Sequence, residues 1–179
     1  LDFLAGVAVN NLGHCHPKVV QAIQEQAATL IHCSNYYQIP SQIELAELLC
    51  AHCFADQAFF CNSGAEANEA AIKLARKYSR EKYGLERYQI ITAAESFHGR
   101  TMATVSATGQ EKVQRFFDPL LHGFHHVPFN DIAALEAAIT PNTCAVMLEP
   151  IQGEGGIKVP SVAYMQAVRE LCDRRQLLL

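Results

Sequence analysis

Apolar positions recur along this chain in two alternating rhythms. Val19, Val20, Ile23, Ala27, Leu30 and Ile31 stand at helical spacing behind Pro17, which suits a first helical turn. Pro40-Ser41 opens a second helix with Ile43, Leu45, Ala46, Leu48 and Leu49 as its apolar side. Ala58-Phe59-Phe60-Cys61 reads as a short buried strand ending in turn chemistry at Asn62-Ser63-Gly64. Beyond it, Ala67, Ala70, Ala71, Leu74, Ala75 and Tyr78 predict one face of a long helix, stopped by Gly84.

The second half repeats the alternation. Tyr88 to Thr92 predicts a strand, His125 to Pro128 a weaker one, and Cys144 to Leu148 a buried one ending at Glu149-Pro150. Asn130-Asp131 caps a helix over Ile132 to Ile139, and Ser161 opens another carrying Met165, Val168, Leu171 and Cys172. Leu177-Leu178-Leu179 begins a further strand, and Leu1 to Leu4 looks like a strand in progress. Strands alternating with helices predict an α/β fold around a mostly parallel sheet with flanking helices. A start without Met and an end inside an apolar strand predict that both termini are truncations.

Composition narrows the function classes. The 179 residues are half hydrophobic and 18% charged, enough for one domain with a real core. Lys and Arg number 14 against 18 Asp and Glu, a net charge of −4 without a basic stripe, so nucleic acid is not an expected partner. No apolar run approaches the ~20 residues of a membrane helix. The seven cysteines lack the spacing of a secreted disulfide framework and are expected to be buried thiols of a cytoplasmic protein. Cys50-Ala51-His52-Cys53 closes a helix instead of opening one, so core thiols are expected there; no metal is expected at it, at His14-Cys15-His16, or at His122, His125 and His126.

Three segments have the makings of a ligand site. In Ser63-Gly64-Ala65 a turn opens a long helix, whose free N–H groups and dipole favour an anion, with Gly64 allowing close approach. An ordinary N-cap would look the same. In Ser96-Phe97-His98-Gly99-Arg100-Thr101, just past a strand, Phe97 can stack on a flat heterocycle and Arg100 can grip a carboxylate. A polar surface loop is the alternative. Glu149-Pro150-Ile151-Gln152-Gly153-Glu154-Gly155-Gly156 places two carboxylates among glycines, and Glu149, close to the sheet, needs a partner. A flexible glycine turn is the plainer possibility.

Together these blocks, with Val7-Ala8-Val9-Asn10-Asn11-Leu12-Gly13-His14-Cys15-His16-Pro17 and Ser106-Ala107-Thr108-Gly109-Gln110, resemble the class III pyridoxal-phosphate aminotransferases along essentially the whole chain. Asn10-Asn11-Leu12-Gly13 and the Ser106 to Gln110 stretch are similar to the branch that acts on acetylornithine and succinylornithine; ornithine and 4-aminobutyrate enzymes share the outline.

The resemblance implies a fold-type-I large domain over residues 1–179, with about the first 40 as an N-terminal edge segment and the C-terminal small domain absent. It implies pyridoxal 5′-phosphate as cofactor, amino-acid and 2-oxo-acid substrates, and a homodimer. By the same analogy Ser63, Gly64 and Ala65 hold the phosphate and Phe97 packs on the ring. His98, Glu149 and Gln152 lie by the cofactor. Arg100 binds a substrate carboxylate and Glu154 pairs with a substrate-binding Arg, with Tyr36 or Tyr37 lining the pocket. The Lys that the family bonds to the cofactor and the Asp for its ring nitrogen match nothing here: Lys18, Lys73, Lys77, Lys82, Lys112 and Lys158 all sit in other contexts. These residues alone are therefore expected not to catalyse, and a non-catalytic cofactor-binding or structural fragment is the reading from another class.

Overall fold

Three parallel strands organise the larger of the two units into which the chain divides, Leu1–Ala58 and Phe59–Leu179. The structure, a computed structural model, describes residues 1–179.

In the first unit, α1 (Ala5–Ala8) is a single left-handed turn, with positive φ at Ala5, Gly6, Val7 and Ala8. The expected strand at Leu1 to Leu4 is absent. The Asp2 carboxylate accepts from the N–H groups of Leu4 and Gly6, both at 2.9 Å, and thereby curls the backbone out of an extended path. Helices α2 (Pro17–Thr29) and α3 (Pro40–Ala51) follow, each with proline in its first turn, as expected. Their apolar residues, Ile23 and Leu48 among them, are exposed and nothing in this unit is fully buried. The expectation of buried thiols is corrected accordingly. Cys15, Cys53 and Cys61 are exposed, Cys33 and Cys50 half-buried, and only Cys144 and Cys172 lie in a core.

The second unit opens with an overturned strand. Phe59 to Cys61 pairs with nothing, and Phe59 is 70% exposed. An apolar run becomes a strand only where a neighbour offers a ladder, and here none does. Helix α4 (Gly64–Tyr83) leads by way of Gly84, at φ +114°, to β1 (Gln89–Ala93). The short helices α5 (Met102–Ala107) and α6 (Glu111–Gln114) precede β2 (Phe124–Val127). Then come α7 (Ile132–Ala137), β3 (Thr143–Met147) and α8 (Val162–Arg175).

The strand order is β2-β1-β3, with Ile91 opposite His125 on one side and Val146 on the other. Leu178 makes a single parallel rung with Ala145, the start of the strand expected at Leu177. Alternating residues serve opposite faces. Ile91 and Val146 pack with Leu135 of α7 and with Val168, Leu171 and Cys172 of α8. Ile90 and Ala145 pack on the other side with Ile72 and Ala75 of α4 and Ala103 of α5. Helices thus cover both faces, as a parallel sheet requires.

Helix α4 turns a different face inward from the one its alanines suggest. Ile72, Ala75 and Ser79 are buried, whereas Leu74 is 68% exposed and Tyr78 40%. Arg76 lies on this inward face. Its guanidinium donates to the Tyr88 carbonyl (3.2 Å) and the His122 carbonyl (3.0 Å) and lies 5.1 Å from the Phe124 ring centre. The sheet-side face of α4 therefore includes an arginine that apolar periodicity overlooks.

Candidate functional site

Helix α4 begins where Ser63, in extended conformation, caps it. Its Oγ accepts from the Glu66 N–H at 3.2 Å. Glu66 in turn accepts from the Asn62 N–H at 2.7 Å, which pins the turn from the other side. The amides of Gly64 and Ala65 have no acceptor four residues back within the helix. A side chain at Gly64 would meet nothing within 4 Å, so the helix start has free space beside it.

The loop after β1 lies directly on this helix start. Gly99, at φ +129°, leaves no room for a side chain, since a Cβ would stand 2.8 Å from the Ala65 Cβ and 2.7 Å from Thr104 Oγ1. Asn68 donates its side-chain amide to the His98 carbonyl at 2.8 Å. The His98 N–H donates to Thr108 Oγ1 at 2.9 Å, and Thr108 Oγ1 donates to the Thr104 carbonyl at 2.8 Å. Helix α5 thereby braces the loop from behind. Its own start is a capping box between Thr101 and Thr104, with Thr104 in place of the Glu or Gln that would mark such a start in a sequence.

Glu149 joins this loop to the one after β3. Its carboxylate accepts from the Phe97 N–H at 3.2 Å and from the Gly153 N–H at 3.4 Å. Burial pushes the Glu149 carboxyl above the ordinary range, against the opposing pull of those two amides. This is the partner that a carboxylate near sheet level needs. Gln152 is fully buried and donates to the Ala94 carbonyl at 2.9 Å, while its backbone pairs with Lys158.

His98 is 4% exposed. Burial, helped by the nearby His126, pushes its imidazole down to about 4, so it is neutral at physiological pH. Its Nε2 has no hydrogen-bond partner. Phe97 is half-buried and Arg100 exposed, with the guanidinium 5.7 Å from the Phe97 ring centre. Phe97, His98, Glu149, Asn68 and Leu74 line a cleft of 640 Å³ on the α4 side of the sheet.

Ser63, Gly64, Ala65, Phe97, His98, Arg100, Glu149, Gln152 and Glu154 all belong to the second unit. Tyr36 and Tyr37 belong to the first and are exposed there. Sequence reasoning left Asn68, Thr108, Gln110 and Lys112 without roles. The last two meet Glu154, whose carboxyl the Gln110 amide, then Lys112, hold below the ordinary range. The open amides at one end of the site suit an anion, and the Phe97 ring beside a cleft suits a flat heterocycle, so these residues fit a phosphorylated ring. No three His, Cys, Asp or Glu side chains converge as a metal site would require, and no helix is long and apolar enough to cross a membrane.

The family model for aminotransferase class-III matches residues 1–179. An acetylornithine aminotransferase of Caldanaerobacter subterraneus is 60% identical over 178 residues, which are 99% of this chain and 45% of that protein. One from Gloeobacter violaceus is 59% identical, over 100% of this chain and 45% of the relative. A solved ornithine aminotransferase from Toxoplasma gondii, described with partial occupancy of PLP at its active site, superposes with a TM-score of 0.93 at 33% identity, covering 99% of this chain and 43% of that one. The chain spans somewhat less than half the length of the relatives it matches.

Proposed function

This chain belongs to the class-III aminotransferase family, and on that premise we propose that it is part of a pyridoxal 5′-phosphate-dependent transaminase. The enzyme moves the amino group of N-acetylornithine, or a similar acylated ornithine, to 2-oxoglutarate, a step in arginine biosynthesis. The same reading takes it as a cytoplasmic homodimer, with residues 1–179 in the cofactor-binding large domain and about the first 40 as its N-terminal edge segment.

When bound, the cofactor supplies the electron sink for moving an amino group between carbon skeletons. The amides of Gly64 and Ala65 and the Ser63 hydroxyl would hold its phosphate at the positive end of the 20-residue helix α4. Phe97 would lie against the ring. His98, neutral, adds no charge of its own to the cleft that it lines with Glu149. Glu149, on the Phe97 and Gly153 amides, holds the loops on either side at a fixed separation. Gln152 braces the second loop against Ala94. Arg100 would take a substrate carboxylate in bidentate fashion, and Glu154 would face a cationic group of the substrate site.

The observation that carries this reading is the packing of Gly99 on Ala65, which makes the anion-binding turn and the Phe97-Arg100 loop one continuous surface. The test is a donor comparison with the purified full-length protein and 2-oxoglutarate. Glutamate should form with a higher kcat/KM from N-acetylornithine than from ornithine or 4-aminobutyrate. A preference for either of those donors would reassign the substrate.

A further inference from the structure

The loop between Gln152 and Lys158 contains Gly153, Gly155 and Gly156, the last at φ +109°. Its base is fixed by the Gln152–Lys158 bridge and by the Gln152 amide on Ala94. Gly155 is wedged against the Glu95 carbonyl, where no side chain would fit. Glu154, at the tip, lies in a turn closed by the Gly156 and Ile157 N–H groups on the Gly153 carbonyl, and side chains from elsewhere hold its carboxylate.

Two groups reach it. The Lys112 ammonium stands 3.4 Å from Oε1, with the Lys112 side chain 71% exposed. An exposed ion pair of that kind contributes little and positions poorly. The Gln110 side-chain amide donates to Oε2 and, at 3.0 Å, to the Ser96 carbonyl. Gln110 is only 9% exposed. Its neighbour Gly109 is clamped to the end of β1, donating to Ser96 Oγ at 3.1 Å and accepting from the Glu95 N–H at 2.7 Å. A Cβ on Gly109 would stand 2.2 Å from the Ala93 carbonyl, so this segment cannot slide.

We propose that Gln110 is a positioning residue for substrate recognition: its amide, anchored on Ser96, sets where Glu154 presents its carboxylate to the substrate site. One NH2 group thereby ties the segment before Phe97 to the loop after β3, spending its two hydrogens on two different loops. A hydrogen bond to a charged acceptor is the stronger kind, so its loss should free the Glu154 side chain while the backbone turn stays in place.

The inference rests on the reading of Glu154 as facing substrate, and the experiment separates the two. In the full-length holoenzyme, KM and kcat for the amino donor are measured for wild type, Gln110→Met, Glu154→Ala and the double variant. Met keeps the buried volume and removes the donor; Gln110→Ala serves as a second probe. Gln110→Met should raise KM about tenfold and leave kcat within about twofold. It should lower Tm by the same small amount in both backgrounds, because the buried Ser96 carbonyl loses its donor, and it should add nothing to KM once Glu154 is Ala. An equal rise in KM in both backgrounds overturns the proposal, as does no rise where Glu154→Ala alone gives one. If Glu154→Ala itself leaves KM unchanged, the substrate role of Glu154 falls, and the role of Gln110 falls with it.

Discussion

Gly99 and Ala65, 34 positions apart in the chain, touch so closely that a methyl group on Gly99 would overlap the Ala65 side chain at 2.8 Å. The start of helix α4 and the loop after β1 are held as one surface by this contact and by the bond from Asn68 to the His98 carbonyl.

Gly99→Ala is therefore expected to cost stability twice, by overlap with Ala65 and Thr104 and by strain at φ +129°. The expected loss is about 1–3 kcal/mol in denaturant unfolding. In the full-length enzyme, affinity for pyridoxal phosphate should fall with it, because the Phe97 ring and the phosphate turn move apart. Unaltered stability would contradict the packing.

Gly64 behaves in the opposite way. It has space on all sides of a would-be Cβ and no positive φ. Gly64→Asp should hold fold stability within about 0.5 kcal/mol, since an acidic residue suits a helix start. It should nevertheless weaken cofactor binding at least about tenfold by setting a negative charge before the phosphate amides. Titration of the full-length apoenzyme with the cofactor reads this directly, and undiminished affinity would remove the turn from the site.

Glu149→Ala releases two amides at once, those of Phe97 and Gly153. Hydrogen exchange should quicken roughly tenfold at both positions while the β1 amides keep their protection. Acceleration spread evenly over the sheet would mean that Glu149 supports the whole fold and not the two loops.

His98 sets a pH dependence. Burial depresses its folded pKa from 6.5 to about 4, so the unfolded chain takes up a proton that the folded chain refuses between those values. Stability from this group is fully present above pH 6.5 and is lost as pH falls towards 4, at no more than about 1.4 kcal/mol per pH unit. His98→Phe should flatten that part of the profile. The main-chain bonds of residue 98 to Asn68 and Thr108 do not depend on the ring and remain. Identical slopes for wild type and variant over this window would refute a buried neutral imidazole.

Much of the fold is legible in local pattern. Pro17 and Pro40 mark the starts of α2 and α3, Gly84 ends α4, and Asp131 and Ser161 cap α7 and α8. Such signals act within a turn or two of chain. Misreadings arose where a local pattern met a competing partner. Asp2 captured the amides of the expected first strand, and Phe59 to Cys61 found no neighbouring ladder. Helix α5 has only six residues, five of them buried, and is held by burial more than by propensity.

By itself, then, the sequence determined the alternation of strands and helices around a parallel sheet, and the three loops that bear Ser63 to Ala65, Phe97 to Arg100 and Glu149 to Glu154. Period and turn chemistry are properties of neighbours in the chain. Only the tertiary structure decided that Gly99 rests on Ala65, that Arg76 of α4 reaches the His122 carbonyl, and that Gln110 reaches Glu154 across 44 positions. Those relationships join groups distant in the chain, and a hydrogen-bond donor selects its acceptor by position in space, which periodicity does not encode.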